Sequence, residues 1–150
     1  MAETFTEGGL NYLVNVGLHG AAASLLNFYV GLFNSQTQST VPASTASGAS
    51  TGWTEVTASS GTYARQAVAA SATGAGSGNS GAWVSGWPAV TFTGFTTNPA
   101  SPANGFFIAS GSVGSAGSPL AFANFDSGAS RSLASVSDTL QVTPTVKLTP

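Results

Sequence analysis

Few side chains in this 150-residue chain are equipped for chemistry, and their spacing restricts what that chemistry is. Gly48-Ala49-Ser50-Thr51-Gly52 fits the GxSxG pattern, in which a strained strand-to-helix turn lifts a nucleophilic serine above a sheet. The sole histidine, His19, lies upstream of that serine, whereas hydrolases of this kind carry their histidine last. No strand pattern precedes Gly48 and no helical pattern follows Gly52, so we expect no catalytic residue here. Gly76-Ser77-Gly78-Asn79-Ser80-Gly81 fits GxGxxG, but a dinucleotide site also needs a strand before it, a helix after it and an acid about twenty residues on. None of these is present. Asp126 and Asp138 have the residue type for paired-carboxylate glycoside hydrolysis, yet Asp138 stands in a turn-like Ser137-Asp138-Thr139 context, and we read both as turn formers. With no cysteine, and with Glu3, Glu7 and Glu55 scattered, thiolate zinc sites and grouped-acid calcium or magnesium sites are not expected; nor is any cofactor. Trp83 and Trp87 are the remaining candidates. Indoles on a β-sandwich stack on sugars or act as protein hot spots, but Gly86-Trp87-Pro88 predicts a bulge or strand break between them, and core or interface packing is the expectation.

The elements that position these residues read as follows. Leu10, Leu13, Val14, Leu18, Ala21, Ala22 and Leu25 recur at spacings of three and four and predict a helix over 9–25, with His19 on its other flank. Residues 27–33 are aromatic and β-branched on both faces, the pattern of a strand buried on both sides. A Ser/Thr/Ala-rich stretch over 35–52, containing Pro42, reads as a loop. Strands are expected at 53–57 and 62–70. If Ser59-Ser60-Gly61 forms a three-residue hairpin loop between them, Glu55 falls opposite Arg65 as an exposed cross-strand pair worth about 0.2–1 kcal/mol. Residues 71–81 read as a flexible Gly/Ser connection. Further strands are expected at 82–92, interrupted by Pro88, and at 105–110, 120–125 and 139–148. Short strands between turn-rich loops predict one domain over 1–150: an arm at 1–8, the helix, and an antiparallel β-sandwich or jelly roll over 26–150.

Composition narrows the partners. Three basic and five acidic side chains amount to 5% of the chain, against about a quarter in ordinary globular proteins, and the net charge is −2. Neither nucleic acid nor an anionic membrane surface is attracted to such a chain. At 42% hydrophobic residues and a mean hydropathy of +0.21 it has enough apolar side chains to fold. Glu3 and Glu7 stand where a secretory signal carries basic residues, so no signal peptide is expected. The uncharged stretch 10–33 is interrupted by Asn11, Asn15, His19, Ser24 and Asn27, so no membrane span is expected either. Monomers keep themselves dispersed with surface charge, which this chain lacks; obligate interfaces lack it in the same way. A subunit of an assembly is the expectation.

Leu10-Asn11-Tyr12-Leu13-Val14 with 27–33, then Thr54-Glu55-Val56 through Gly61-Thr62-Tyr63-Ala64-Arg65-Gln66-Ala67-Val68, and finally Asp138-Thr139-Leu140-Gln141-Val142, together resemble a family of small tailed-bacteriophage virion proteins of tail-fibre-like or capsid-decoration-like type. In that family an N-terminal helix leads to a YVxL-type strand, a GxYAR segment follows, and a GDTL turn introduces the last strand. Here Ser137 replaces the glycine of that turn, and the loops at 35–52 and 71–81 are expanded. The resemblance implies a non-enzymatic virion component with no small-molecule substrate. From it and the charge deficit we expect a capsid decoration protein, a homotrimer bound outside the shell where major capsid protein subunits meet, with Phe5, Trp83 and Trp87 as candidate interface residues. A tail or fibre-base subunit is the first alternative, and a carbohydrate-binding host-attachment module the second.

Overall fold

The computed structural model describes residues 4–5, 9, 27–36, 53–56, 63–69, 77–79, 82–95, 102–112, 119–125, 130–133, 135 and 137–148. The helix expected over 9–25 lies outside them except for Gly9, as do His19, residues 48–52 and Asp126. The described residues form antiparallel β-structure: β1 Thr4–Phe5, β2 Asn27–Gln36, β3 Trp53–Glu55, β4 Gln66–Ala69, β5 Ser77–Asn79, β6 Ala82–Gly86, β7 Val90–Phe92, β8 Gly105–Ala109, β9 Pro119–Asn124, β10 Leu140–Val142 and β11 Thr145–Leu148. No helix among them is long and apolar enough to cross a membrane.

Six strands make the main sheet, in the order β1-β9-β8-β2 with β3 and β4 both on the far edge of β2. β2 sits at its centre because it is apolar on both faces, as 27–33 predicts. Val30 and Leu32 point one way and Gly31 and Phe33 the other, and all four are buried. On the Phe33 side, two glycine–phenylalanine pairs face each other across the β2–β8 ladder: Gly31 opposite Phe107 and Phe33 opposite Gly105. Each ring occupies the space a side chain on the partner would need. A Cβ on Gly31 would lie 2.3 Å from Phe107 Cζ, and one on Gly105 would lie 2.3 Å from both Phe33 Cζ and the Ala123 carbonyl oxygen. Phe122 on β9 completes this cluster with its ring edge-on to Phe33, at 6.3 Å between centroids.

The other face of the main sheet contributes Val30, Leu32, Val68, Phe106 and Ala123 to a core closed by Val90 and Phe92 of β7 and Val142 of β10, with Phe95 and Leu133. The molecule is thus a β-sandwich, the architecture expected from the strand pattern. Its second layer is one ribbon in two parts. β7 pairs with β10 and β6 with β11, and Trp87 N–H donates to the Pro144 carbonyl at 3.0 Å where the two parts meet. Three residues, Trp87, Pro88 and Ala89, here stand against two, Thr143 and Pro144, so the register slips by one. This is the bulge that Gly86-Trp87-Pro88 predicts. Neither proline has an N–H to donate, so the ladder has to lapse at this point. The same lapse divides the single strand expected over 139–148 into β10 and β11.

Two expectations need correction. Residues 53–57 and 62–70 do not pair with each other as a hairpin: β3 covers Phe33–Gln36 of β2 and β4 covers Asn27–Val30, end to end on one edge, because β8 occupies the opposite edge. Nor is 71–81 wholly a connection. Ser77–Asn79 forms β5 on the edge of β6, a pairing that uses the backbone alone and leaves no periodic side-chain signal.

The fit at Gly105 leads to a specific expectation. Gly105→Ala loses about 1–3 kcal/mol of unfolding free energy through overpacking against fixed backbone, whereas Gly86→Ala, whose new Cβ meets nothing nearer than 3.7 Å, stays within about 0.5 kcal/mol of the parent in urea titrations.

Candidate functional site

The polar side chains that the fold brings together are Glu55, Tyr63 and Arg65. Their convergence follows from the end-to-end arrangement of β3 and β4. In an antiparallel ladder the N–H and C=O of one residue face the same neighbour. Leu32 C=O accepts from Val56 N–H at 2.8 Å, so Leu32 N–H points to the same edge, into the break between β3 and β4. Among the described residues no backbone acceptor meets it. The Tyr63 hydroxyl does, accepting from Leu32 N–H at 2.8 Å and donating in turn to Glu55 Oε1 at 3.2 Å.

Glu55 is gripped from its other side by Arg65, with Nε on Oε1 at 2.8 Å and Nη2 on Oε2 at 2.7 Å, a two-pronged guanidinium–carboxylate pair. Arg65 Nη1 donates to the Gly111 carbonyl at 2.8 Å, and the guanidinium carbon lies 4.9 Å from the centre of the Phe107 ring. The Arg65 and Glu55 side chains are 4% and 15% exposed, which corrects the expected exposed pair to a buried one. Tyr63 meanwhile stacks on Phe92 and Phe95, at centroid distances of 5.9 and 6.4 Å. The cluster therefore reaches from the core between the layers, through the break in the sheet edge, to the phenylalanine cluster on the far face.

Chemically this arrangement binds chain to chain. Burial, aided by the Glu55 carboxylate, pushes the Tyr63 phenol well above its ordinary value, so the hydroxyl keeps its proton and is a donor rather than a nucleophile or base. Glu55 accepts three hydrogen bonds from within the cluster and is occupied. Asp138 closes a turn by accepting from Ser135 N–H at 2.9 Å, while Asp138 N–H donates to Ser135 C=O at 3.0 Å, as its sequence context suggests. No group of three or more metal-ligating side chains occurs among the described residues. The centre of the GxGxxG stretch is β5, a strand rather than a turn opening a helix.

The three candidate interface residues occupy separate places. Phe5 lies in β1 opposite Ala121, on the edge of the main sheet. Trp83 lies in β6, opposite Gly78 on one side and Leu148 on the other. Trp87 sits in the bulge, half-buried against the core, its ring edge-on to Phe28 at 5.7 Å and its Nε1 buried without a hydrogen-bond partner. It is held by packing.

The surface is the second element of the site. Among the residues whose exposure is described, Arg131 is the one charged side chain that is exposed; the other exposed residues are Ala, Ser, Thr, Asn, Gln and Pro, including Ala64, Ala67 and Ala69 in and beside β4 and Thr91, Thr93, Gln141 and Thr143 on the outer layer. Comparison of the chain with protein-family models, with curated proteins and with solved structures gives no match.

Two expectations follow from the cluster. Glu55→Gln leaves the Arg65 charge buried without its counter-ion and costs about 3–5 kcal/mol in denaturant titrations, while a Glu55→Met/Arg65→Leu double variant recovers most of that loss. The raised Tyr63 value sets the sign of an alkaline effect: the folded chain holds this proton more tightly than the unfolded one, so its contribution is complete below pH about 10 and is lost as pH climbs beyond it. Melting temperature above that pH falls more steeply in the parent than in Tyr63→Phe.

Proposed function

We propose that this chain is a non-enzymatic bacteriophage structural protein, a capsid decoration protein that cements the head shell from outside as a homotrimer. The observation that supports this reading is the scarcity of charge, 5% of the chain, with Arg131 the one charged side chain exposed among the residues whose exposure is described, over a sandwich that keeps the Glu55–Arg65 ion pair inside. Small neutral side chains lose little rotamer entropy when covered and carry no charge to desolvate, so they suit burial against identical neighbours and a protein lattice. Binding then stabilises the shell by mass action, since a ligand that recognises only the assembled state shifts the equilibrium toward it. In this reading the contacts with the major capsid protein come from the N-terminal segment through Phe5 and from the region of Trp83 and Trp87.

A tail or fibre-base subunit has the same surface requirements and differs in copy number. A carbohydrate-binding module is less well supported, because Trp87 has its ring packed on Phe28 and the core. The experiment is the stoichiometry of the chain relative to the major capsid protein in purified particles. A copy number comparable to that of the capsid lattice is the expected result; a far smaller one assigns the chain to the tail, and absence from particles overturns the virion reading. A neutral interface also makes attachment insensitive to ionic strength: affinity for depleted particles is expected to change by less than about threefold between low and high salt, whereas a charge-steered contact weakens steeply.

A further inference from the structure

We propose that Asn104-Gly105 is a latent self-modification site, which the folded chain holds closed and which unfolding turns into a one-way mark. It is the only Asn-Gly pair in the sequence. In such a pair the glycine backbone nitrogen attacks Cγ of the asparagine side chain, unhindered by a Cβ. A carbon–nitrogen bond forms and closes a succinimide ring, the bond to Nδ2 breaks, and the amide leaves as ammonia with the proton from the glycine nitrogen. Water then opens the ring at either carbonyl, giving aspartate or isoaspartate. Nothing but water is consumed.

The fold restrains every group this reaction has to move. Asn104 N–H donates to the Phe33 carbonyl at 2.8 Å, and Asn104 C=O accepts from Phe125 N–H at 2.9 Å. The leaving amide, Nδ2, donates to the Asn34 carbonyl, which β2 presents at its own irregularity between Phe33 and Ser35. Gly105 opens β8 in register with Phe33 on one side and Asn124 on the other, and is buried. Ring closure requires the side chain to leave Asn34 and the Asn104–Gly105 peptide to rotate, which breaks the ladder at the head of β8. The reaction therefore runs only when the β2–β8–β9 strands part.

Either product prevents them from closing again. Isoaspartate adds a methylene to the main chain between Ala103 and Gly105 and displaces the entrance to β8, where the Phe33 ring fills the space a side chain on Gly105 would take. Aspartate sets a carboxylate oxygen against the Asn34 carbonyl, acceptor against acceptor, where a donor had been. This inference is independent of the decoration reading, since it concerns the strands of one chain.

The test uses the purified full chain in mildly alkaline buffer, with and without urea, and maps the peptide containing Asn104 by mass over time. Deamidation in the folded chain is expected to be slower by at least about tenfold, because it waits on opening; equal rates overturn the proposal. Urea is then removed, and the fractions that do and do not regain the native circular dichroism signal are mapped separately. The mark is expected only in the fraction that fails to refold, and its presence in the refolded fraction overturns the claim that it acts in one direction.

Discussion

On the edge of β2 that faces β3 and β4, the N–H of Leu32 is met by a side chain rather than by backbone. A buried donor left open costs about 1–3 kcal/mol, so the sheet is complete only with a side chain in the break. Tyr63 fills it, and its hydroxyl makes the position of Glu55 matter; Glu55 in turn fixes Arg65, which reaches Gly111 beyond the end of β8 and covers Phe107. Each member satisfies a group that the previous one leaves exposed. Segments far apart in sequence are tied at one place: β2, the end of β3, the entry to β4 and the turn after β8.

The same cluster bears on the outside of the molecule. A buried ion pair is often no more stabilising than well-packed apolar residues of its volume, since desolvation offsets most of the attraction. What it supplies here is direction, because a two-pronged guanidinium–carboxylate contact accepts one geometry. In a chain with three basic and five acidic residues, holding one of each inside also leaves fewer charges for the exterior, at the same net charge.

Much of the fold is legible in the sequence because it rests on local signals. Apolar residues on both faces over 27–33 mark β2 as central, Gly86-Trp87-Pro88 marks the bulge, and the Ser137-Asp138-Thr139 context marks a turn. Glu55 and Arg65 are recognisable as partners by charge alone. Their burial is not, because it depends on β2 accepting two strands end to end and on Phe107, more than forty residues further along, lying beneath the guanidinium. Tyr63 is invisible for the same reason. Its role answers a gap in a backbone ladder, and only the three-dimensional register shows where that gap falls. The paired glycines and phenylalanines of β2 and β8 did carry a usable signal: Gly31-Leu32-Phe33 and Gly105-Phe106-Phe107 are the same triplet pattern, which in antiparallel register sets each small residue against a large one.

The end-to-end seating of β3 and β4 also determines where this protein can grow. In a hairpin the loop dictates the register, so a change of loop length disturbs the strands it joins. Here β2 templates both strands independently, and the chain between Val56 and Tyr63 only has to leave the edge and return to it. Lengthening such a connection costs about 0.6 kcal/mol per doubling, far less than a register slip. The break in the sheet edge is accordingly a port through which new sequence can be displayed on an unchanged sandwich, bounded on either side by residues that the ion pair already holds in place.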